Sequence, residues 1–151
     1  MIKVVKYKSD MRADVLSAAK SEKNADEQAQ ISEFLAECEN AAATKYALVA
    51  YDENDICVGY ALGEVLAGAA ERIYDIFVIP ALRRSGAGSV ILVAIYHHSV
   101  NRFTLRFYAD CPADNQPALA FFKARAFTPT ERGETVKLTK SILSMYKTER
   151  H

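Results

Sequence analysis

The sequence predicts an α/β (α+β) fold, a mixed, mostly antiparallel central sheet flanked by helices, and three observations carry that expectation. Tyr46–Tyr51 and Ile56–Leu62 alternate with a period of two on either side of the turn-forming cluster Asp52-Glu-Asn-Asp55, as an antiparallel hairpin does. Before that hairpin, apolar residues recur at helical spacing. After it, a strand closed by Pro80 runs through a glycine-bearing loop into a nearly all-apolar segment.

Taken in order, residues 2–7 form a first strand, and Ser9 or Asp10 is expected to cap the helix that follows, with Met11, Val15, Leu16 and Ala19 as its buried stripe. The polar stretch Ser21–Asn24 separates a second helix beginning near Asp26. There Ile31, Phe34, Leu35, Cys38 and Ala42 face inward while Glu33, Glu37 and Glu39 face out. The hairpin follows, then a strand over Arg72–Ile79. Ser89–His98, apolar nearly all round from Val90 to Tyr96, is expected to be a buried helix. Phe103–Ala109 is expected as a strand and Gln116–Ala124 as a helix presenting Ala118, Leu119, Phe121 and Phe122. A last hairpin turns at Arg132-Gly133. The order is β-α-α-β-β-β-α-β-α-β-β.

A chain of 151 residues, half of them hydrophobic, can bury one substantial core, so a single domain over 1–151 is expected. Lys+Arg and Asp+Glu are both 19, which gives no reason to expect nucleic acid as a partner. Cys38, Cys57 and Cys111 are odd in number and widely spaced, which suits reduced thiols rather than a disulfide framework or a metal site. The first residues lack the apolar core of a signal peptide, and no run approaches the length of a membrane span. A cytoplasmic protein without membrane contact is expected.

The chemistry concentrates in Val78-Ile-Pro-Ala-Leu-Arg-Arg-Ser-Gly-Ala-Gly-Ser89. A strand ends in a loop whose glycines permit positive φ and close backbone approach, and the loop opens a helix. Several unpaired N–H groups and the positive end of the helix dipole then converge, with Arg83 and Arg84 adding full charges. A pyrophosphate suits such a place; a tight turn with a solvated arginine pair is the plainer alternative. The dinucleotide fingerprint GxGxxG begins with Gly86 and Gly88, but Ile91 stands where its third glycine belongs. An antiparallel meander also precedes the loop instead of alternating β and α units. The lysine of a nucleoside-triphosphate loop is absent as well.

These residues resemble the GNAT acetyltransferase superfamily, whose most diagnostic motif, Arg/Gln-x-x-Gly-x-Gly/Ala after a strand ending in Val-x-Pro, stands here as Val78-Ile79-Pro80 and Arg83-Arg84-Ser85-Gly86-Ala87-Gly88. A second family element, Asn-x-x-Ala-x-x-Phe/Leu-Tyr followed by Gly-Phe, is matched in part by Asn115, Ala118, Phe121, Phe122, Ala126 and Phe127. The resemblance implies an acyl-coenzyme-A cleft over residues 72–127 and acetyl-CoA as acyl donor. The acceptor would be an amine of a small molecule or a protein. It further implies that Ile76 and Val78 pair with the pantetheine arm, that Arg83, Arg84, Ser85, Gly86, Ala87, Gly88 and Ser89 cradle the pyrophosphate, and that Asn115 and Phe122 border the arm. Homodimers are a tendency of the family. Asn115 is equally readable as a helix N-cap followed by Pro117 in the first turn.

Acyl transfer to an amine needs a neutral nucleophile, a stabilised oxyanion and a departing thiolate. The family usually protonates that thiolate with a tyrosine, where this chain has Phe122; Tyr108 and Cys111 are candidate substitutes. Glu71, Asp75 and Glu64 are candidate bases, though each taken alone reads more readily as a carboxylate solvating a strand end. His97 and His98 are adjacent on one helix and do not face each other, so no metal site is expected. The missing tyrosine keeps open a catalytically silent CoA-binding module as the second reading.

Overall fold

The computed structural model describes residues 1–100 and 102–142. Its elements are β1 (Lys3–Lys6), α1 (Arg12–Ala19), α2 (Ala25–Cys38), β2 (Lys45–Tyr51), β3 (Cys57–Leu66), β4 (Ala70–Val78), α3 (Ala87–Val100), β5 (Arg106–Pro112), α4 (Gln116–Ala124), β6 (Thr128–Glu131) and β7 (Thr135–Ser141). They build one seven-stranded sheet in the order β1-β2-β3-β4-β5-β7-β6. Every neighbouring pair is antiparallel except β4 and β5. The expected fold class and element order are those observed. Among the described residues, no helix is long and apolar enough to cross a membrane.

Alternation along the strands feeds two cores. Leu48, Ala50, Val58 and Ala61 face α3 and α4, meeting Ile91, Leu92, Ile95, Leu119 and Phe122. Ala47, Val49, Tyr60 and Leu62 point the other way, onto Val15 and Ala19 of α1 and Ile31 and Leu35 of α2. Each fully buried Val, Leu, Ile or Phe side chain contributes about 1.5–3 kcal/mol, so both layers are held chiefly by apolar burial. Asn24 starts α2 with a capping box, its side chain accepting from the Glu27 amide at 2.8 Å while Glu27 accepts from the Asn24 amide at 3.0 Å.

Several local expectations are corrected. Neither Ser9 nor Asp10 caps α1; both lie inside a 3-10 turn, whose Met11 amide is already taken by the Lys8 carbonyl at 2.9 Å. Ala42 lies beyond α2 and is exposed. Phe103 is not in a strand: its φ is +56° and its side chain is exposed. A turn there returns the Thr104 amide to the Ser99 carbonyl, which delays β5 to Arg106. α3 is less enclosed than its composition suggests, leaving Val90 and Val93 exposed on one face.

The strands β3 and β4 are longer than expected because they meet in a tight turn at Gly68 and Ala69, both at positive φ. Their register slips once. Leu62 pairs with Asp75 and Gly63 with Ile73, so Tyr74 is an extra residue. This bulge reverses the alternation of β4: Ile73, Ile76 and Val78 pack toward α3, whereas Phe77 joins the α1–α2 core.

Glu71, a candidate base in the sequence, is fully buried at the opposite end of β4. Its carboxylate accepts from Arg102 at 2.9 and 3.2 Å and from the Thr104 hydroxyl. The group ties the end of α3 to the start of β4 and is not among the residues lining the cavity described below. Its sequence distance from both partners concealed this. Arg102→Ala is expected to destabilise the fold by about 3 kcal/mol, read by urea denaturation, because a buried carboxylate would lose its charged partner.

Candidate active site

β4 remains paired with β3 as far as Val78, but with β5 only from Ala70–Ile73 to Arg106–Ala109. Beyond Ile73 and Ala109 the two parallel strands part. The main chain of β4 from Tyr74 onward therefore has one edge without a strand partner, and such an edge is a template for an added strand. A cavity of about 540 Å³ opens at the parting. Its lining includes Ile76, Asp110, Cys111, Asn115, Ala118 and Phe122, together with Lys23, Glu27, Phe34, Tyr74 and Asp75.

The loop after β4 begins with a 3-10 turn at Pro80–Leu82 and runs straight into α3 at Ala87. Arg84 adopts φ +65° and Gly86 φ +89°. A left-handed conformation at a bulky residue is costly and persists where surrounding structure enforces it. The first amides of α3 have no partner inside the helix, so this end presents N–H groups and a partial positive charge. Ala87 is buried; Arg84, Ser85 and Gly86 are exposed.

Arg83 is less available than its motif position suggested. Its Nε donates to the Val78 carbonyl at 3.1 Å, its terminal nitrogen pairs with Glu22, and the guanidinium lies 5.7 Å from the Phe77 ring centre. It braces the loop against the α1–α2 connection. A guanidinium that the motif did not indicate stands on the other flank: Arg125 donates from Nε to Ser89 Oγ at 2.8 Å and lies 3.9 Å from the Phe121 ring centre. That contact joins the first turn of α3 to the end of α4.

Gly88 owes its identity to the same junction. A Cβ there would lie 2.8 Å from Phe121 Cε1. The close approach that requires glycine is thus made by an aromatic ring of α4. Asn115 caps α4, accepting from the Ala118 amide at 3.2 Å, and also lines the cavity. Phe122 is buried edge-on between Phe121 and Phe127 and reaches the cavity wall.

Asp75 lies on that wall, its Oδ2 3.4 Å from the Tyr60 hydroxyl, which donates to it, and 3.6 Å from Lys23 Nζ. Burial pushes its carboxyl above the usual range, and Lys23 and Tyr60 oppose that rise. Tyr108 does not line the cavity; its ring lies under the Lys137 ammonium, 4.7 Å away. Cys111 does line it, but burial raises the thiol to about 11, which makes it a poor acid toward a departing thiolate. Glu64 accepts from the hydroxyls of Tyr74 at 2.7 Å and Thr44 at 3.2 Å, outside the cavity lining. His97 is exposed and His98 half-buried near Arg102, with burial holding its imidazolium below the usual value. Lys23, Tyr74 and Arg125 occupy no motif position, so nothing local in the sequence marks them, and Asp110, which could have completed a dinucleotide fingerprint, instead lines this cavity.

A family model described as the acetyltransferase (GNAT) family matches residues 10–127. No curated protein sequence matches the chain. Among solved structures, a protein assigned to the GNAT family from Desulfovibrio desulfuricans is similar, with 17% identity and a TM-score of 0.82 over 94% of this chain and 98% of that one. The PaiA N-acetyltransferase of Thermoplasma acidophilum, in complex with coenzyme A, superposes with a TM-score of 0.77 at 9% identity, covering 93% and 99%. The ribosomal-protein-alanine N-acetyltransferase of Escherichia coli does so with 0.77 at 12% identity, covering 94% of each chain.

Gly88→Ala is expected to lower stability by about 1–3 kcal/mol through overpacking against Phe121, and Gly88→Ala with Phe121→Leu to recover part of the loss. Thermal unfolding of the three variants, including Phe121→Leu alone, reads both effects.

Proposed function

This chain belongs to the acetyltransferase (GNAT) family, and from that premise we propose that it transfers the acetyl group of acetyl-CoA directly to an amine of a small molecule or a protein. The observation that carries the proposal is the parting of β4 from β5 beside a loop that opens a helix at Gly86 and Ala87. The first amides of α3 and the exposed Arg84 suit the pyrophosphate. The unpaired edge of β4 at Ile76 and Val78 suits the amide-bearing pantetheine arm, which would lie between it and Asn115. This brings the thioester to the floor of the cavity.

The acetyl carbonyl would then face main-chain N–H groups of that edge, donors able to stabilise the oxyanion of a tetrahedral intermediate. Of the carboxylates lining the cavity, Asp75 stands on β4 itself beside the unpaired edge, and to it we assign the proton of the incoming ammonium. The amine attacks the acetyl carbon, the carbon–sulfur bond breaks, and the CoA thiolate leaves. Its proton comes from water, because Phe122 has no hydroxyl to give. A free thiol has a pKa of about 8.5, so an unassisted departure is slow but feasible.

A second reading, a CoA-binding module without turnover, is favoured by Phe122 alone. Thiol release from acetyl-CoA across a panel of polyamines, amino acids, aminoglycosides and peptides separates the two. Release stimulated by one class of amine is the expected result; CoA binding with no stimulation by any class supports the silent module. Phe122→Tyr is expected to raise kcat by about tenfold or more if thiolate protonation limits the rate. An unchanged kcat in a variant that binds CoA normally would show that water already suffices.

A further inference from the structure

The α1–α2 connection touches both halves of the cleft through two consecutive residues. Glu22 pairs with Arg83 in the loop before α3, and Lys23 pairs with Asp75 on β4, Nζ to Oδ2 3.6 Å. Both cations also lie over one ring: Lys23 Nζ is 5.6 Å and the Arg83 guanidinium 5.7 Å from the centre of Phe77. Phe77 in turn stacks on Tyr60 at 5.1 Å, and the Tyr60 hydroxyl donates to the same Asp75 oxygen. The Lys23 side chain is 24% and that of Asp75 28% exposed, so the pair is neither freely solvated nor sealed.

We infer that Lys23 is a positioning residue for acetyl transfer, acting through Asp75, whose carboxylate it holds at the wall of the acceptor cavity. The inference rests on the proposed transfer reaction, in which Asp75 accepts the proton. Desolvation favours the neutral acid at this place, and a neutral Asp75 cannot act as a base. Four groups face it: Lys23 from the α1–α2 connection, Tyr60 from β3, Glu27 from α2 and Cys111 from β5. Lys23 and Tyr60 favour the ionised form; Glu27 and burial oppose it.

The proton balance follows. One N–H bond of the acceptor ammonium breaks as its proton passes to Asp75, and the freed lone pair attacks the acetyl carbon. The C–S electrons leave on sulfur, the adduct nitrogen releases its second proton to water as the amide forms, water protonates the thiolate, and Asp75 returns its own proton to solvent. Lys23 loses no proton in the cycle; its fixed charge also disfavours a second cation at that spot, which helps the bound amine shed its own proton. The adjacent Glu22–Arg83 pair anchors the connection on the cofactor loop, so the same backbone segment that steadies the loop sets the place of the Lys23 ammonium.

The test is a carbon-13 titration of the full chain labelled at aspartate Cγ, with the Asp75 signal assigned by its loss in Asp75→Asn. Lys23→Met keeps the aliphatic contact with Phe77 and removes the charge. Its Asp75 midpoint is expected to rise by about one pH unit, while Lys23→Arg stays near wild type. With whichever amine of the panel is turned over, the acid limb of kcat/KM should move up by the same amount, so that activity below the limb falls about tenfold. CoA affinity should stay unchanged. A midpoint that Lys23→Met leaves in place overturns the inference while leaving the transfer reading intact. Asp75→Asn with wild-type rates overturns it from the other side, by removing Asp75 from the chemistry although the titration shifts. Absence of turnover with every amine sinks the transfer reading itself, and the positioning role with it.

Discussion

The candidate site depends on one constraint, that β4 cannot keep two hydrogen-bonded neighbours along its whole length. It remains bonded to β3 through Val78, but to β5 only through Ile73. Backbone N–H and C=O groups released from a ladder must find another partner; the Val78 carbonyl accepts from Arg83 Nε, and the remaining groups are left to water or to a ligand with amides of its own. The bulge at Tyr74 falls where the parting begins. By inserting one residue it moves Asp75 to the face of Tyr60 and Lys23, while Ile76 and Val78 keep the apolar contacts that hold the strand down. One irregularity thus places a carboxylate at the cavity wall and leaves an unpaired edge beside it.

Two cross-links keep the parted halves at a fixed spacing. On one flank the α1–α2 connection reaches the loop before α3 through Glu22 and the β4 carboxylate through Lys23. On the other, Arg125 and Phe121 of the α4 region clasp the first turn of α3 at Ser89 and Gly88. The start of α3 is therefore positioned by packing and by charge pairs drawn from distant parts of the chain. The buried group of Glu71, Arg102 and Thr104 does similar work where β4 and β5 are still joined.

The parts of this arrangement that were legible in the sequence are local. Asn115 with Pro117 announces the start of α4, and the hairpin at Asp52–Asp55 shows in its turn residues, where Asp52 accepts from the amides of Asn54 and Ile56. The glycine loop after Pro80 shows in its φ requirement at Gly86. What was not legible depends on partners far along the chain. Glu71 reads as a cleft carboxylate until Arg102 and Thr104 are brought to it. That Gly88 must lack a Cβ because Phe121 packs against it cannot be read from the loop alone. The bulge at Tyr74 leaves no mark because Ile73-Tyr-Asp-Ile76 carries no glycine or proline, and strand alternation alone would have placed Asp75 with Ile73.

The most direct test of the central claim is a crystal structure of the chain with coenzyme A. The account predicts the pantetheine arm lying as an added strand along the β4 edge, hydrogen-bonded to main-chain groups at Ile76 and Val78, with the pyrophosphate over the start of α3. Coenzyme A bound elsewhere, or an arm that enters the cleft without touching the β4 main chain, would contradict it.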